Sequence, residues 1–293
     1  MNDYLKELVN FINSNKIISS PIAHTELEIL DGGKQHVNIS FSSSLSERNE
    51  ELPFSIKESI MFMLLDAYID NINPQFSNEN FKFKYKSLPE TNKNEEILKE
   101  VYRVFRFIRN NIIHDINSIK FAENEIIIDR GDGNILKMES DAMNVINFII
   151  YFIITNSMEN EYNSLILQNI YKILTIKITE FNDDIKELSQ IKQVEPNITF
   201  EYLHRRIIIN AKSTLVNNGN TIKIELVSDD PGRTGNYFIV SNDKHYLLPF
   251  EALEKDENLK YGKIDNTDAS KFELNIINPT INKSVWNILK KHI

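Results

Sequence analysis

Between residues 94 and 117 the chain reads NEEILKEVYRVFRFIRNNIIHDIN, and its apolar positions recur at α-helical spacing. With Leu98 at zero and about 100° per residue, Val101, Phe105, Ile108, Ile112 and Ile116 fall within about 80° and form the predicted buried face. Arg109 lies near ~20° on the same wheel, in the middle of that apolar face. Arg103, Asn110 and His114 gather at roughly 120–160°, on a polar flank, with Arg106 between the two groups.

The same reading along the rest of the chain predicts a helix over 2–14, then two short strands within 24–44 around the turn Asp31-Gly32-Gly33. Ser55 and Glu58 fit a capping box ahead of a helix over 60–72, and the polar stretch 73–94 reads mainly as a loop. Residues 119–139 alternate as a β-hairpin with DRGDGN at its tip. Ser140 is an N-cap candidate for a helix over 141–157, and another helix is predicted over 161–181. After 183 the pattern turns to strands: two runs in 205–227 joined by NNGN, a hairpin over 236–250, and a strand over 271–278. A short amphipathic helix over 282–293 closes the chain, with Trp286 as its anchor. The predicted class is α+β. Residues 1–53 supply a helix and short strands, 54–182 a helical domain with an inserted β-hairpin, and 183–293 a β-rich C-terminal domain of unknown role.

At 293 residues, 41% hydrophobic and 26% charged, the chain can bury a sizeable core. With no cysteine, disulfides, thiolate nucleophiles and cysteine zinc sites are excluded. The N-terminal MNDYLKELVNFINSNK lacks the unbroken apolar stretch of a signal peptide. VINFIIYFII (145–154) carries Asn147 and falls short of the ~20 residues a membrane span needs. The expectation is a cytoplasmic protein without membrane association. A formal net charge of −9 argues against general coating of nucleic acid, but leaves room for a small basic site acting on RNA.

An arginine centred on an apolar face is expensive unless it is paired or opens onto a polar cavity. In one account Arg109 bonds a buried carboxylate such as Asp66 or Asp70, or snorkels to the edge. In the other, that face lines a cleft or subunit interface where a phosphate binds, which suits the planar, permanently charged guanidinium. His114 is likewise either a packing residue or a proton-transfer group. In an ideal helix Arg109 and His114 point about 140° apart. They converge only if the NNII segment departs from regular helix, or if two chains pair and pool their residues.

RNNIIHD near the end of an amphipathic helix resembles the signature of the HEPN domains (higher eukaryotes and prokaryotes nucleotide-binding). That signature is an arginine, four to six intervening residues and a histidine, with a polar residue directly after the arginine. Arg109, Asn110 and His114 match it, and the resemblance covers about 54–181. It implies an HEPN-like helical bundle and a homodimer whose motif helices face each other. It also implies metal-independent endoribonuclease activity, in which the ribose 2′-hydroxyl attacks the adjacent phosphate. His114 would be the general acid or base, Arg109 would stabilise charge on the transition state, and Asn110 would position the phosphate or orient His114. Neither metal nor organic cofactor is implied. Many bacterial members are toxins or abortive-infection effectors against phage, which implies an antitoxin or regulatory partner. One subgroup is controlled by modification of a tyrosine two residues after the histidine. Ile116 stands there, so that route is not expected.

Lys99, Arg103 and Arg106 extend a positive stripe beside Asn110 and His114 that could track an RNA backbone; a solvated helix flank is the alternative. The LHRR cluster at 203–206 could also contact RNA, or be ordinary surface. Asp66 and Asp70, one helical turn apart, are expected to pair with Arg109 or Arg106 rather than hold a metal. DRGDGN fails calcium-loop spacing, and DDPGRTGN (229–236) lacks the context of a nucleotide loop. The chief rival to a ribonuclease is a non-catalytic helical protein that uses the same face for dimerisation, assembly or RNA binding. A third reading is an accessory protein with no nucleic-acid role, in which Arg109 is salt-bridged internally.

Overall fold

A computed structural model describes residues 2–15, 17–18, 24–30, 36–42, 52–185, 190–200, 205–209, 213–216, 219–226, 235–241, 243–255 and 261–274. In chain order the elements are α1 (Asp3–Ser14), β1 (His24–Leu30), β2 (His36–Ser42), α2 (Phe54–Ile72), α3 (Phe81–Ser87) and α4 (Lys93–His114). There follow β3 (Ile119–Phe121), β4 (Glu125–Asp129), β5 (Ile135–Glu139), α5 (Ala142–Thr155), α6 (Glu161–Lys177) and β6 (Ile178–Asn182). The remainder is β7 (Arg205–Ile209), β8 (Ser213–Val216), β9 (Thr221–Glu225), β10 (Gly235–Ser241), β11 (Lys244–Pro249), β12 (Glu254–Lys255), β13 (Tyr261–Asp265) and α7 (Asn266–Ala269). The fold is mixed α+β. Among the described residues no helix is long and apolar enough to cross a membrane.

The chain divides into two compact units, one of residues 1–21, 44–155 and 167–196, the other of 22–43, 156–166 and 197–293. This differs from the three-part division expected from sequence. The first 53 residues are not one piece, because α1 packs on α2 while β1 pairs in parallel with β7, Leu27 opposite Ile207.

In the first unit α4 is the central helix, with α2, α3 and α5 packed on it. Every residue from Glu100 to Ile108 is buried, so α4 is covered all round. Its start is fixed locally: Asn92 Oδ1 accepts from the Glu95 amide at 3.0 Å, and Glu95 Oε2 accepts from the Thr91 amide at 2.8 Å. The predicted hairpin at 119–139 is present as β4 and β5, but it is the middle of a four-stranded antiparallel sheet ordered β3-β4-β5-β6. Its tip needs two glycines in the left-handed region, Gly131 at φ 73° and Gly133 at φ 86°. Asp129 and Asp132 Oδ1 accept from the Gly131 and Asn134 amides and set the turn.

Local competition displaced other expectations. The 73–94 segment is not mainly loop: Asn80 caps α3 by accepting from the Phe83 amide at 2.9 Å. Helix α2 begins after Pro53, with no side-chain cap, and Glu58 is buried against Asn147 of α5 instead of closing a capping box. The helix predicted over 161–181 stops at Lys177, where the chain becomes β6.

The second unit holds a five-stranded sheet ordered β11-β10-β7-β1-β2 and a four-stranded sheet ordered β12-β13-β9-β8. Alternate residues of β9 and β13, Ile222, Ile224 and Ile264, join Ile207, Phe238 and Leu248 in its core. The 205–227 segment holds three strands rather than two, and the 236–250 hairpin forms as expected, with Asp243 at φ 59° in its turn. Of the strand predicted over 271–278, residues 271–272 belong to a 3₁₀ turn (270–272) and Glu273 makes a single antiparallel bridge to Tyr246; residues 275–278, the closing helix and Trp286 lie outside the described residues, as do Leu203 and His204.

Candidate functional site

The motif occupies the last turns of α4, which remains regular α-helix through His114. The Asp115 amide still donates to the Asn111 carbonyl at 2.9 Å, so the NNII segment is undistorted. The local distortion that could have brought Arg109 and His114 together in one chain is therefore absent. On a regular helix their side chains diverge by about 140°.

Arg109 is half-buried, and among the described residues it has no carboxylate partner. Its guanidinium carbon lies 4.9 Å from the ring centroid of Phe81 on α3 and 5.9 Å from that of Phe62 on α2. Nη1 donates to Asn110 Oδ1 at 3.2 Å. The carboxylates expected to neutralise Arg109 are occupied elsewhere. Lys84 Nζ sits 3.0 Å from Asp66 Oδ1 and 2.6 Å from Asp70 Oδ1, and Tyr102 also donates to Asp66, at 3.0 Å. Burial, reinforced by that carboxylate, pushes the Tyr102 phenol far above its usual range. Expected pairing of Asp66 or Asp70 with Arg109 or Arg106 is thus corrected: a buried lysine on α3 takes both acids.

Asn110 is half-buried beside Arg109, whereas His114 is exposed at the helix end and makes no hydrogen bond or ion pair among the described residues. Next to it in the chain Ile113 and Ile116 are exposed, as is Phe121 of β3, to 62%, edge-on to Phe54 at 5.1 Å. Ile116, placed on the buried face by the helical wheel, lies beyond the end of α4.

The predicted positive stripe does not exist as a surface. Arg103 is 1% exposed. Its Nε donates to Asp183 Oδ2 at 3.2 Å and Nη1 to Glu100 Oε1 at 2.8 Å, and its guanidinium carbon lies 4.5 Å from the Phe181 ring centroid. Arg106 is also buried, with Nη2 at 3.3 Å from Asp183 Oδ2 and 2.5 Å from Asp184 Oδ1. Lys99 pairs with Glu90 at 2.5 Å and donates to the Leu88 carbonyl. Strand β6 and the segment after it cover this flank of α4 with acids, and satisfied internal ion pairs replace the expected phosphate contacts. Burial pushes the Glu100 carboxyl up against the opposing pull of Arg103. For Asp184 burial also pushes up, but the bond and charge of Arg106 outweigh it and leave the group below its ordinary value.

Sequence reasoning missed Phe62, Phe81, Lys84, Asp183 and Asp184. Lys84 and the two aromatics lie in or across from a segment read as loop, and NDD at 182–184 carries no periodic signal. Among the described residues no group of three acids or histidines is placed to hold a metal ion. No family model matches the chain, and no curated protein or solved structure was found to match it.

Proposed function

We propose that the chain is an HEPN-type endoribonuclease working as a homodimer, with Arg109, Asn110 and His114 of two α4 helices sharing a site. The observation that carries this reading is Arg109: a half-buried cation resting on aromatic faces, without a carboxylate among the described residues, five residues before an exposed histidine on the same regular helix. A guanidinium held that way keeps its charge for an incoming phosphate. RNA supplies its own nucleophile. The 2′-oxygen bonds to phosphorus, the bond from phosphorus to the 5′-oxygen breaks, and a 2′,3′-cyclic phosphate and a 5′-hydroxyl result. His114 takes the 2′ proton or delivers one to the leaving oxygen, and Arg109 stabilises the extra negative charge on the phosphoryl oxygens. Lys99, Arg103 and Arg106 have no part in RNA contact in this reading, because their charges are spent internally.

Pairing two chains across the exposed Ile113, Ile116 and Phe121 would bring one Arg109 to the other chain's His114 and would cover these apolar side chains. A cytoplasmic toxin or anti-phage effector is the biological setting that this chemistry suits, with an antitoxin or regulatory protein as its controller. One observation favours the rival, non-catalytic interaction protein: within one chain Arg109 and His114 do not meet.

The deciding experiment is cleavage of RNA by purified protein in excess chelator, with His114→Ala and Arg109→Ala alongside. Cleavage that survives chelation, yields cyclic phosphate ends and is lost in both variants is expected. A folded wild-type dimer that leaves RNA intact would favour the interaction protein, and activity persisting in His114→Ala would remove the motif from the active site.

A further inference from the structure

Helix α3 lies against the candidate site through Phe81, whose ring is the nearer of the two aromatic faces on which Arg109 rests. With Lys82 at zero on the helical wheel, Phe81, Lys84, Tyr85 and Leu88 fall at roughly 200–300°. Lys84, Tyr85 and Leu88 are buried, and Lys84 ties the helix to α2 through Asp66 and Asp70. Lys82, Lys86 and Phe83 fall together between about 0° and 100°, on the opposite face. All three are exposed, Phe83 to 45%. Phe83 keeps its place edge-on to Phe76, with ring centroids 6.2 Å apart.

Among the described residues neither Lys82 nor Lys86 has a carboxylate within ion-pair distance. Asp184 senses the charge of Lys82, but it is held by Arg106 at 2.5 Å. Many lysines of this acidic chain are paired with acids, including Lys99, Lys137, Lys177 and Lys192. Two unpaired cations one turn apart, with an exposed aromatic ring beside them, are what a flexible nucleic-acid strand needs: positive charge for its phosphates and a face on which a base can stack. An ordinary solvated lysine pair accounts for the cations but not for an exposed phenylalanine beside them.

Resting on the ribonuclease reading above, we infer that the exposed face of α3 binds single-stranded RNA flanking the scissile phosphate. Lys82 and Lys86 contact successive phosphates, and Phe83 stacks on an unpaired base.

The test uses the full chain carrying His114→Ala, so that substrate is not consumed. Binding of a fluorescent single-stranded oligoribonucleotide is followed by anisotropy over a salt series. Lys82→Gln with Lys86→Gln is expected to flatten the slope of log Kd against log salt by about 1.4, at roughly 0.7 per phosphate contact on a single strand. Phe83→Ala is expected to weaken binding about 5- to 100-fold with an unchanged slope. A charge-matched control, Lys6→Gln with Lys172→Gln, is expected to bind like the parent. An unchanged slope and affinity in the α3 variants, with RNA binding intact, would overturn the inference and leave the ribonuclease reading standing. Absence of both RNA binding and wild-type cleavage would remove that reading, and the inference with it.

Discussion

Arg103 and Asp183, 80 residues apart in sequence, meet with Nε 3.2 Å from Oδ2, and neither is exposed to solvent beyond 1%. Asp183 also receives Arg106, so one carboxylate holds two arginines of α4. Removing one partner of a buried pair strands the other's charge in a low dielectric. Asp183→Ala is therefore expected to destabilise the protein by about 3–5 kcal/mol, seen as an earlier midpoint in urea. A loss below about 1 kcal/mol, the range of an exposed pair, would show that the arginines find other partners.

Stability should fall as pH rises towards neutrality, because of Glu58. Asn147 Nδ2 donates to Glu58 Oε1 at 3.2 Å, both side chains are buried, and Glu58 Oε2 and Asn147 Oδ1 have no hydrogen-bond donor among the described residues. Burial pushes this carboxyl up to about 7, against the weaker downward pull of Lys57 and Asn147. Between about pH 4.5 and 7 the folded state thus binds more protons than the unfolded chain, so stability decreases across that window. Glu58→Gln is expected to recover up to about 3 kcal/mol above the window and little below it. Comparing Tm of both forms at pH 5 and pH 8 checks this; equal gains at the two pH values would contradict it.

If each site joins Arg109 of one chain to His114 of the other, the inactive variants should rescue one another. A heterodimer of Arg109→Ala and His114→Ala contains one intact site. Random mixing of the two should restore roughly a quarter of wild-type cleavage, since about half the dimers are mixed and each has one site of two. No recovery after subunit exchange would mean that both residues act from the same chain.

Phe81 should matter through its ring rather than its volume. Phe81→Tyr keeps an electron-rich face under Arg109, whereas Phe81→Leu keeps only apolar contact. A roughly 3- to 30-fold lower kcat is expected for the leucine variant and near-normal turnover for tyrosine, from an interaction worth about 0.5–2 kcal/mol. Equal turnover in both would assign the ring to packing.

Much of this was legible in the residues, and the gaps have physical causes. The periodicity of 94–117 predicts α4, and DRGDGN places the hairpin tip where Gly131 and Gly133 take left-handed backbone. Helix α3 was missed because its apolar residues alternate with lysines and Lys84 is among the buried ones; only Asp66 and Asp70 make that burial tolerable. Arg103 and Arg106 read as an open positive stripe, facing RNA or solvent, because a wheel shows which residues share a face but not what covers it. The cover is Asp183 and Asp184, about 80 residues away. Long-range pairing also hid the fate of 24–42: their alternation marks them as strands, but not that their neighbour in the sheet is β7.

That neighbour sets an order of events during synthesis. Strands β1 and β2 leave the ribosome before β7, and the edge that β1 offers to β7 stays open until residues 205–209 follow. The residues of the first unit that follow β2, including all of α4, emerge in between. The helix bearing Arg109 and His114 can thus fold while an earlier segment still waits, its backbone amides and carbonyls available to any passing strand.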